Sequence, residues 1–316
     1  MRFIGWSGPA NQISMQQKIQ HALDQINQVV LGKNHKIKLA LCCLFSGGHL
    51  LIEDLPGMGK TTLAHALARV FGLSYQRIQF TSDLLPADVL GVSVYSQKNE
   101  QFKFHEGPIF SQLLLADEIN RSTPKTQSAL LEAMEEGQVT VEGSTRPLPK
   151  PFFVIATQNP SSQTGTFPLP ESQLDRFLMC IELGYPDKKS ERILLQSGGD
   201  RSVVDQLPVC INADELLEIQ TSIKQIQTSD SLLDYLQRLI AYSRLPRQFN
   251  YGLSPRGSIG LLRCAKTWAY MDKRSFVVPE DIQAVIPAVV KHRLSAGNSG
   301  DEGGAAQRLL TEVPVI

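Results

Sequence analysis

The feature that most constrains this chain is a glycine-containing loop between a predicted strand and a predicted helix. The apolar run HLLIE at 49–53 is suited to a buried strand, and the sequence DLPGMGKTT follows it at 54–62. Apolar residues then recur with helical spacing over 63–70. This order predicts a phosphate-binding loop, because backbone N–H groups and the positive end of a helix then face one anion.

Each residue type in the loop suits phosphate binding. Gly57 and Gly59 let the backbone turn its N–H groups toward phosphate oxygens. Lys60 can pair with the outer phosphates, and Thr61 offers a hydroxyl to Mg²⁺. The first position of the pattern G-x-x-x-x-G-K-[ST] holds Asp54, so the turn must form without that glycine. The alternative is an ordinary glycine-rich turn. The loop residues expected at the nucleotide are Pro56, Gly57, Met58, Gly59, Lys60, Thr61 and Thr62.

Polar side chains follow two further predicted strands. The run QLLLA at 112–116 ends in Asp117 and Glu118, and FFVIAT at 152–157 leads to Asn159. Ligands of open parallel sheets gather at the carboxyl ends of strands. Asp117 can hold the Mg²⁺ shell, Glu118 can orient and deprotonate an attacking water, and Asn159 can bind the γ-phosphate or that water. Taken singly, such residues are more often solvated loop starts and turns.

Composition excludes several classes of protein. The 316 residues hold 31 basic and 31 acidic side chains, so no global field attracts nucleic acid or an anionic membrane. The longest apolar run stops well before the ~18 residues of a membrane span, and residues 1–12 lack a secretory signal, so we expect a soluble protein without membrane insertion. The five cysteines form no C-x-x-C pair, which favours reduced thiols in a cytoplasm. The histidines show no metal-ligand spacing.

The pattern of apolar residues along the chain changes near Pro186. Before it, apolar runs alternate with helical stretches, which predicts an α/β domain with a parallel sheet and flanking helices. After it, amphipathic segments predict an all-α bundle. We therefore expect an α/β core at 1–186, with an insertion at about 83–109 and a hairpin at about 138–149. A linker and first helix at 187–212, a helical lid domain at 213–295 and a flexible tail at 296–316 should follow.

Four stretches together resemble the MoxR family of AAA+ ATPases. They are GHLLIEDLPGMGKTTLA, LLLADEINRSTPKTQSALLEAMEEGQVTVEG, VIATQNPSSQTGTFPLPESQLDRF and GLSPRG. The resemblance implies an AAA+ P-loop NTPase core followed by a helical lid. It also implies a chaperone-like ATPase that uses ATP and Mg²⁺ and forms rings, usually hexamers, with ATP at the subunit junctions.

The resemblance also implies residue roles. Lys60 and Thr61 match the Walker A pair, and Asp117 and Glu118 match Walker B, with Thr61 and Asp117 at the metal. The remaining matches are Asn159 with sensor 1, Arg256 with sensor 2, Arg176 with the arginine finger offered to a neighbouring subunit, and Val30, Leu31 and Gly32 with the segment against adenine.

Physical arguments also bear on the roles of the arginines. Arg256 follows Ser254 and Pro255 at a predicted helix start, where a cation is disfavoured by ~0.3 to 1 kcal/mol and a phosphate partner would explain it. A solvated surface arginine is the alternative. For Arg176 the alternative is a local ion pair with Asp175. Arg121, just after Walker B, could face an adjoining subunit.

The hypothesis that follows is an ATP-hydrolysing ring that remodels or matures a separate protein partner, which the resemblance implies carries a von Willebrand factor A domain. A nucleic-acid motor on the same core would need a basic pore or an added binding domain, and net neutrality counts against it. A nucleotide-gated scaffold with little turnover is the other alternative, against which Glu118 argues. Within the insertion, Tyr95, Phe102 and Phe104 either contact substrate or cover the sheet edge.

Overall fold

The computed structural model describes residues 14–98, 100–159, 166–198, 201–246, 248–294 and 304–315. Residues 1–12, which were predicted to lack a secretory signal, and the part of the predicted tail at 296–303 lie outside this range. The strands are β1 (Leu50–Glu53), β2 (Tyr75–Gln79), β3 (Gly91–Ser96), β4 (Gln101–Glu106), β5 (Leu113–Asp117), β6 (Gln138–Val141), β7 (Ser144–Pro147), β8 (Phe153–Gln158) and β9 (Met179–Ile181). The α-helices are α1 (Met15–Val29), α2 (Asn34–Phe45), α3 (Lys60–Val70), α4 (Pro86–Leu90), α5 (Pro124–Glu136), α6 (Glu171–Leu174), α7 (Lys188–Ser197), α8 (Ala213–Lys224), α9 (Asp230–Ser243), α10 (Pro255–Met271), α11 (Pro279–Val290) and α12 (Gly304–Glu312).

A five-stranded parallel sheet forms the centre of the first domain, in the order β2-β5-β8-β1-β9. Its middle strands are buried on both faces, which is why they appear in the sequence as continuous apolar runs. Leu50 and Ile52 of β1 pack with α1, α2 and α3, whereas Leu51 packs on the other face with α5. The predicted α/β class with its helical lid is confirmed.

Strand β2 differs from the expectation of a buried strand. It pairs with β5 alone at the edge of the sheet, and side chains such as Gln76, Arg77 and Gln79 are exposed. Its aromatic and β-branched residues, Tyr75 and Ile78, are half-buried and pack against the two cores. An edge position therefore leaves polar side chains of β2 free to reach the carboxyl end of β5.

The lid helices pack around α10, which contacts α2, α8 and α11. Helix α12 follows, and the prediction of a flexible tail is wrong for these residues. Ala305, Ala306 and Leu309 are buried against the same hydrophobic core, and α12 contacts α9 and α11. The sequence suggested a tail because the glycine-rich stretch before it dominates the local composition, while the apolar face of α12 spans little more than two turns.

The predicted insertion and the predicted hairpin each contain a two-stranded sheet. Strands β3 and β4 pair antiparallel within the insertion, and β6 pairs with β7. Tyr95 and Phe102 lie opposite each other in this pairing and are 50% and 74% exposed, so they do not cover the edge of the central sheet. Phe104 packs against Phe110 and under the guanidinium of Arg146.

Of the helices that the structure describes, none is both long and apolar enough to cross a bilayer.

His49, which precedes β1, ties the sheet to α5. Its Nδ1 accepts a hydrogen bond from the Val154 N–H at 3.0 Å, and its Nε2 lies 3.2 Å from the Met134 carbonyl oxygen. Only a neutral imidazole protonated at Nε2 satisfies both partners. Burial lowers the pKa of His49 to about 4. Burial also lowers the pKa of His292, which contacts the Phe177 carbonyl oxygen.

We expect acid to destabilise the fold through these two histidines. Because the folded pKa lies below the unfolded one, the unfolded chain binds more protons as the pH falls from about 6.5 to 4. Protonation of His49 should lower the free energy of unfolding by up to about 2 kcal/mol over that interval. This is less than the full pKa shift would give, because part of the ring is exposed. Urea unfolding of His49→Gln at several pH values should show a shallower pH dependence than wild type. His105→Gln, at an exposed position of β4, is the matched control, and equal slopes for wild type and His49→Gln would contradict the assignment.

Candidate functional site

The loop after β1 has the backbone that an anion site requires. Gly57 and Gly59 adopt φ values of +85° and +89°, which side-chain-bearing residues rarely adopt. Among the described residues other than the immediate chain neighbours, no atom lies within 4 Å of where a Cβ would stand at either glycine. The space in front of the first turn of α3 is therefore open, and the helix begins there at Lys60.

Asp54 explains how the loop forms without its first glycine. Its Oδ1 accepts from the Leu55 N–H at 2.9 Å, and its Oδ2 accepts from the Leu183 and Gly184 N–H groups at 2.7 Å each. Asp54 itself has no positive φ, so glycine is not needed there. Hydrogen bonds to a carboxylate are strong, and these join the start of the loop to the segment after β9.

Lys60 lies inside the loop rather than in solvent. It is 7% exposed, and its Nζ donates to the carbonyl oxygens of Asp54 and Leu55 and lies 3.4 Å from Asn159 Oδ1. Burial lowers the pKa of Lys60, and the nearby carboxylates oppose part of that shift. Its present partners are neutral oxygens, so an incoming phosphate would be its first direct anionic partner.

The carboxylates at the end of β5 are each held by several donors. Asp117 Oδ1 accepts from Thr157 Oγ1 at 2.6 Å, and Asp117 Oδ2 accepts from Arg77 at 2.7 Å. Glu118 has a left-handed backbone, with φ at +55°, and its N–H donates to Thr157 Oγ1. That conformation is uncommon for a residue with a side chain, and such strain concentrates at functional sites.

The Glu118 carboxylate is bound by three side chains. Asn159 Nδ2 donates to Oε1 at 3.1 Å, while Gln79 and Arg121 donate to Oε2 at 3.0 and 2.9 Å. Asn159 therefore connects Lys60 to Glu118. Arg121 pairs with Glu118 of its own chain and is 53% exposed, and its suggested position facing an adjoining subunit stays a prediction.

Arg77 and Gln79 contact this site but were not among the residues predicted for it. They alternate along β2, and Gln79 lies opposite Asp117 in the strand register. The signal was available in the sequence, because two long polar side chains spaced two apart on a strand point to the same face.

A cavity of about 450 Å³ lies between the glycine loop, the end of β2, the carboxylates after β5 and Asn159. Of the predicted nucleotide and catalytic residues, those that line it are Val30, Leu31, Pro56, Gly57, Met58, Gly59, Lys60, Thr61, Thr62, Asp117, Glu118 and Asn159. Gly32 does not line the cavity. A Cβ on Gly32 would lie 2.5 Å from Ser190 Oγ, so this glycine allows α7 to approach beside the cavity.

The cavity fits a nucleotide with a magnesium ion. Its lining includes Val30, Leu31 and Leu194, whose apolar side chains suit a base, together with the glycine loop and Lys60. The Thr61 hydroxyl and the Asp117 carboxylate are hard oxygen ligands of the kind that Mg²⁺ prefers.

Arg176 and Arg256 lie elsewhere. Both contact Glu135 near the end of α5, beside residues that precede the amino ends of β1 and β9. The nucleotide cavity lies at the opposite edge of the sheet, beyond the carboxyl ends of the strands. The alternative for Arg176, a local ion pair with Asp175, does not form in the described residues, because Asp175 binds Arg293 and Ser254 instead.

Comparison with known sequences gives two matching families. The sequence model described as "ATPase family associated with various cellular activities (AAA)" matches residues 49–179, and that of the AAA lid domain matches residues 242–313. The second match extends beyond residue 295, where the lid was predicted to end, and includes α12.

Similar proteins cover nearly the whole chain. YeaC of Bacillus subtilis is 43% identical over 92% of both chains. Chaperone MoxR1 of Mycobacterium tuberculosis is 39% identical over 87% of this chain and 75% of its own length, and MoxR of Methylorubrum extorquens is 30% identical over 85% of each. A crystal structure from Cytophaga hutchinsonii, assigned as an ATPase, superposes with a TM-score of 0.86 at 39% identity and covers 95% of both chains.

Proposed function

Because the chain belongs to the MoxR family of AAA+ ATPases, we propose that it hydrolyses ATP at the junctions of a homo-oligomeric ring, six subunits in our proposal. We further propose that the cycle remodels or matures a separate protein partner. The family match and the chaperone name of MoxR1 support the chaperone-like ATPase. The ring is inferred from the family and from the positions of two arginines, and the kind of partner is inferred from the family resemblance.

One observation carries the ring assignment. The phosphate loop follows the carboxyl end of β1, whereas Arg176 and Arg256 lie near the amino ends of β1 and β9. A strand of four residues separates these edges by roughly 13 Å. Neither arginine lines the nucleotide cavity of its own chain, so we assign both to the nucleotide of a neighbouring subunit.

The residues around the cavity divide the work of hydrolysis. Lys60 and the N–H groups of the loop would bind the outer phosphates, and Thr61 and Asp117 would hold the magnesium ion. That ion offsets phosphate charge when bound. The Glu118 carboxylate would accept the proton of the attacking water. Asn159, already within reach of both Lys60 and Glu118, would orient that water against the phosphate.

The partner would be bound by the β3–β4 hairpin. This hairpin forms a sheet of its own and presents exposed aromatic side chains, with Phe102 74% and Tyr95 50% exposed. Exposed aromatic side chains on a projecting hairpin suit transient contact with protein surfaces. Following the family resemblance, we propose a partner with a von Willebrand factor A domain carried on another chain, and cytoplasmic action.

Mixing two inactive variants tests the shared site. An Arg176→Ala subunit keeps Glu118 and is called the site subunit; a Glu118→Gln subunit keeps its arginines and is called the donor subunit. Each variant alone should be nearly inactive. Mixed rings should regain ATP hydrolysis above the sum of the two, because donor arginines complete sites whose Glu118 is intact. No gain, once subunit exchange is shown by fluorescence transfer between labelled chains, would contradict hydrolysis at shared junctions.

A further inference from the structure

Glu135 contacts both arginines that we assign to the neighbour. Its Oε2 lies 3.0 Å from Arg176 Nε, and its Oε1 accepts a hydrogen bond from the Arg256 guanidinium. Arg176 comes from the segment between α6 and β9 in the core, and Arg256 comes from the first turn of α10 in the lid. One carboxylate therefore brings together two guanidinium groups from different domains.

The orientation of these arginines depends on few other contacts. Within the described part of the chain, the buried Nε of Arg176 has no hydrogen-bond partner, because the contact with Glu135 is not aligned as a hydrogen bond. Arg256 is 47% exposed at its side chain, and Glu135 is its ion-pair partner. Most of their N–H donors are thus left for an outside anion, while Glu135 limits where the side chains point.

The backbones beneath these side chains are fixed separately. Asp175 accepts from Arg293 Nε at 2.7 Å and from Ser254 Oγ at 2.8 Å. Arg293 is 5% exposed at its side chain and also donates to the carbonyl oxygens of Phe177 and Leu178. This network attaches the residue before Arg176 to the cap of the helix that carries Arg256. The core and the lid are therefore held together here without Glu135.

Charge explains why a carboxylate is needed between the arginines. The surrounding depression is lined by Arg176, Arg256, Arg263 and Arg293, against Glu135 and Asp175. Without Glu135, two adjacent guanidinium groups would repel each other and turn toward solvent. With it, both are held side by side, which is the arrangement that converges on one phosphate group.

We propose that Glu135 is a positioning residue that holds Arg176 and Arg256 ready for the nucleotide of the adjoining subunit. This rests on the proposed junction site. Glu135 acts from the subunit that donates the arginines and touches no nucleotide itself. Its removal should therefore slow hydrolysis in the neighbour and leave ATP binding in its own chain unchanged.

The test places Glu135→Gln in one subunit type at a time. The modified donor subunit carries both Glu118→Gln and Glu135→Gln. In mixed rings it should give a recovered kcat about tenfold or more below that of the Glu118→Gln donor, since small misplacements of catalytic groups have effects of that size. Glu135→Gln in the site subunit should lower it far less. KM for ATP should not change in either mixture. A folding defect would not depend on which subunit carries the substitution.

The matched control is Glu136→Gln in the donor subunit, at the exposed neighbouring position. It should recover as much activity as the unmodified donor. Equal recovery with Glu135→Gln and Glu136→Gln donors would overturn the proposal. Higher recovery with Glu135→Gln would overturn it as well, because Glu135 would then compete with the phosphate. If the unmodified pair shows no recovery despite exchange, the junction assignment fails instead.

Discussion

Glu118→Gln protein should bind ATP about as tightly as wild type and hydrolyse it at a rate lower by about 10³-fold or more. The amide keeps the size of the side chain and can still accept hydrogen bonds from Gln79 and Arg121. It cannot accept a proton from water, and general-base catalysis contributes about 10² to 10⁴-fold. Binding is measured by fluorescence with a labelled nucleotide, and hydrolysis by phosphate release.

Lys60→Ala gives the contrasting result. Lys60 would contact phosphate in the ground state, so its loss should abolish tight binding together with turnover. The Glu118→Gln protein, held with ATP, should retain its partner longest in a pull-down, and Lys60→Ala should retain it least. Normal turnover by purified Glu118→Gln would contradict the role given to Glu118. Weak ATP binding by that variant would instead show that Glu118 serves binding.

The part of the site that depends on consecutive residues could be predicted from the sequence. The loop, Asp117 and Glu118 each follow a recognisable strand, and a parallel sheet necessarily brings the carboxyl ends of its strands to one edge. The structure places these residues and Asn159 around one cavity. Their chemical roles stay predictions.

The rest depends on contacts between distant residues. Asp54 bonds to N–H groups 129 and 130 positions away, and Arg77 reaches Asp117 from an edge strand. No local pattern indicates such pairs, because they depend on which strands become neighbours. Helix α12 was missed for the same reason, since its few apolar residues matter only where the lid already provides a surface.

The position of the arginines is the clearest case. From sequence, an ion pair with the neighbouring Asp175 was the alternative to the arginine-finger role of Arg176. In the structure Asp175 binds Arg293 and Ser254, whereas Arg176 contacts Glu135 on α5. The packing of the lid on the core determines these partners, and the residues next to Arg176 in the sequence do not reveal that packing.

Arg176→Ala should lower ATP hydrolysis by ~10³ to 10⁵-fold at saturating ATP, the loss found when an arginine finger is absent from phosphoryl transfer. Its own cavity is intact, so ATP affinity should stay near wild type. Arg176→Lys should recover little, because an ammonium cannot match the planar fork of donors that a guanidinium offers to phosphate. Steady-state kinetics and nucleotide titration separate the two quantities, and Arg308→Ala on the exposed face of α12 is the control.

A purely structural role for Arg176 predicts a different outcome. Its ion pair with Glu135 is partly exposed, at 27% and 34% of the two side chains, and such pairs contribute ~0 to 1 kcal/mol. Loss of that pair would lower the unfolding temperature slightly and leave kcat nearly unchanged. Hydrolysis within a few-fold of wild type by folded, assembled Arg176→Ala would therefore remove Arg176 from the reaction. A large fall in kcat by assembled protein with normal ATP affinity and normal stability is the result expected of a group that acts on a nucleotide outside its own chain, because its own cavity lies across the sheet.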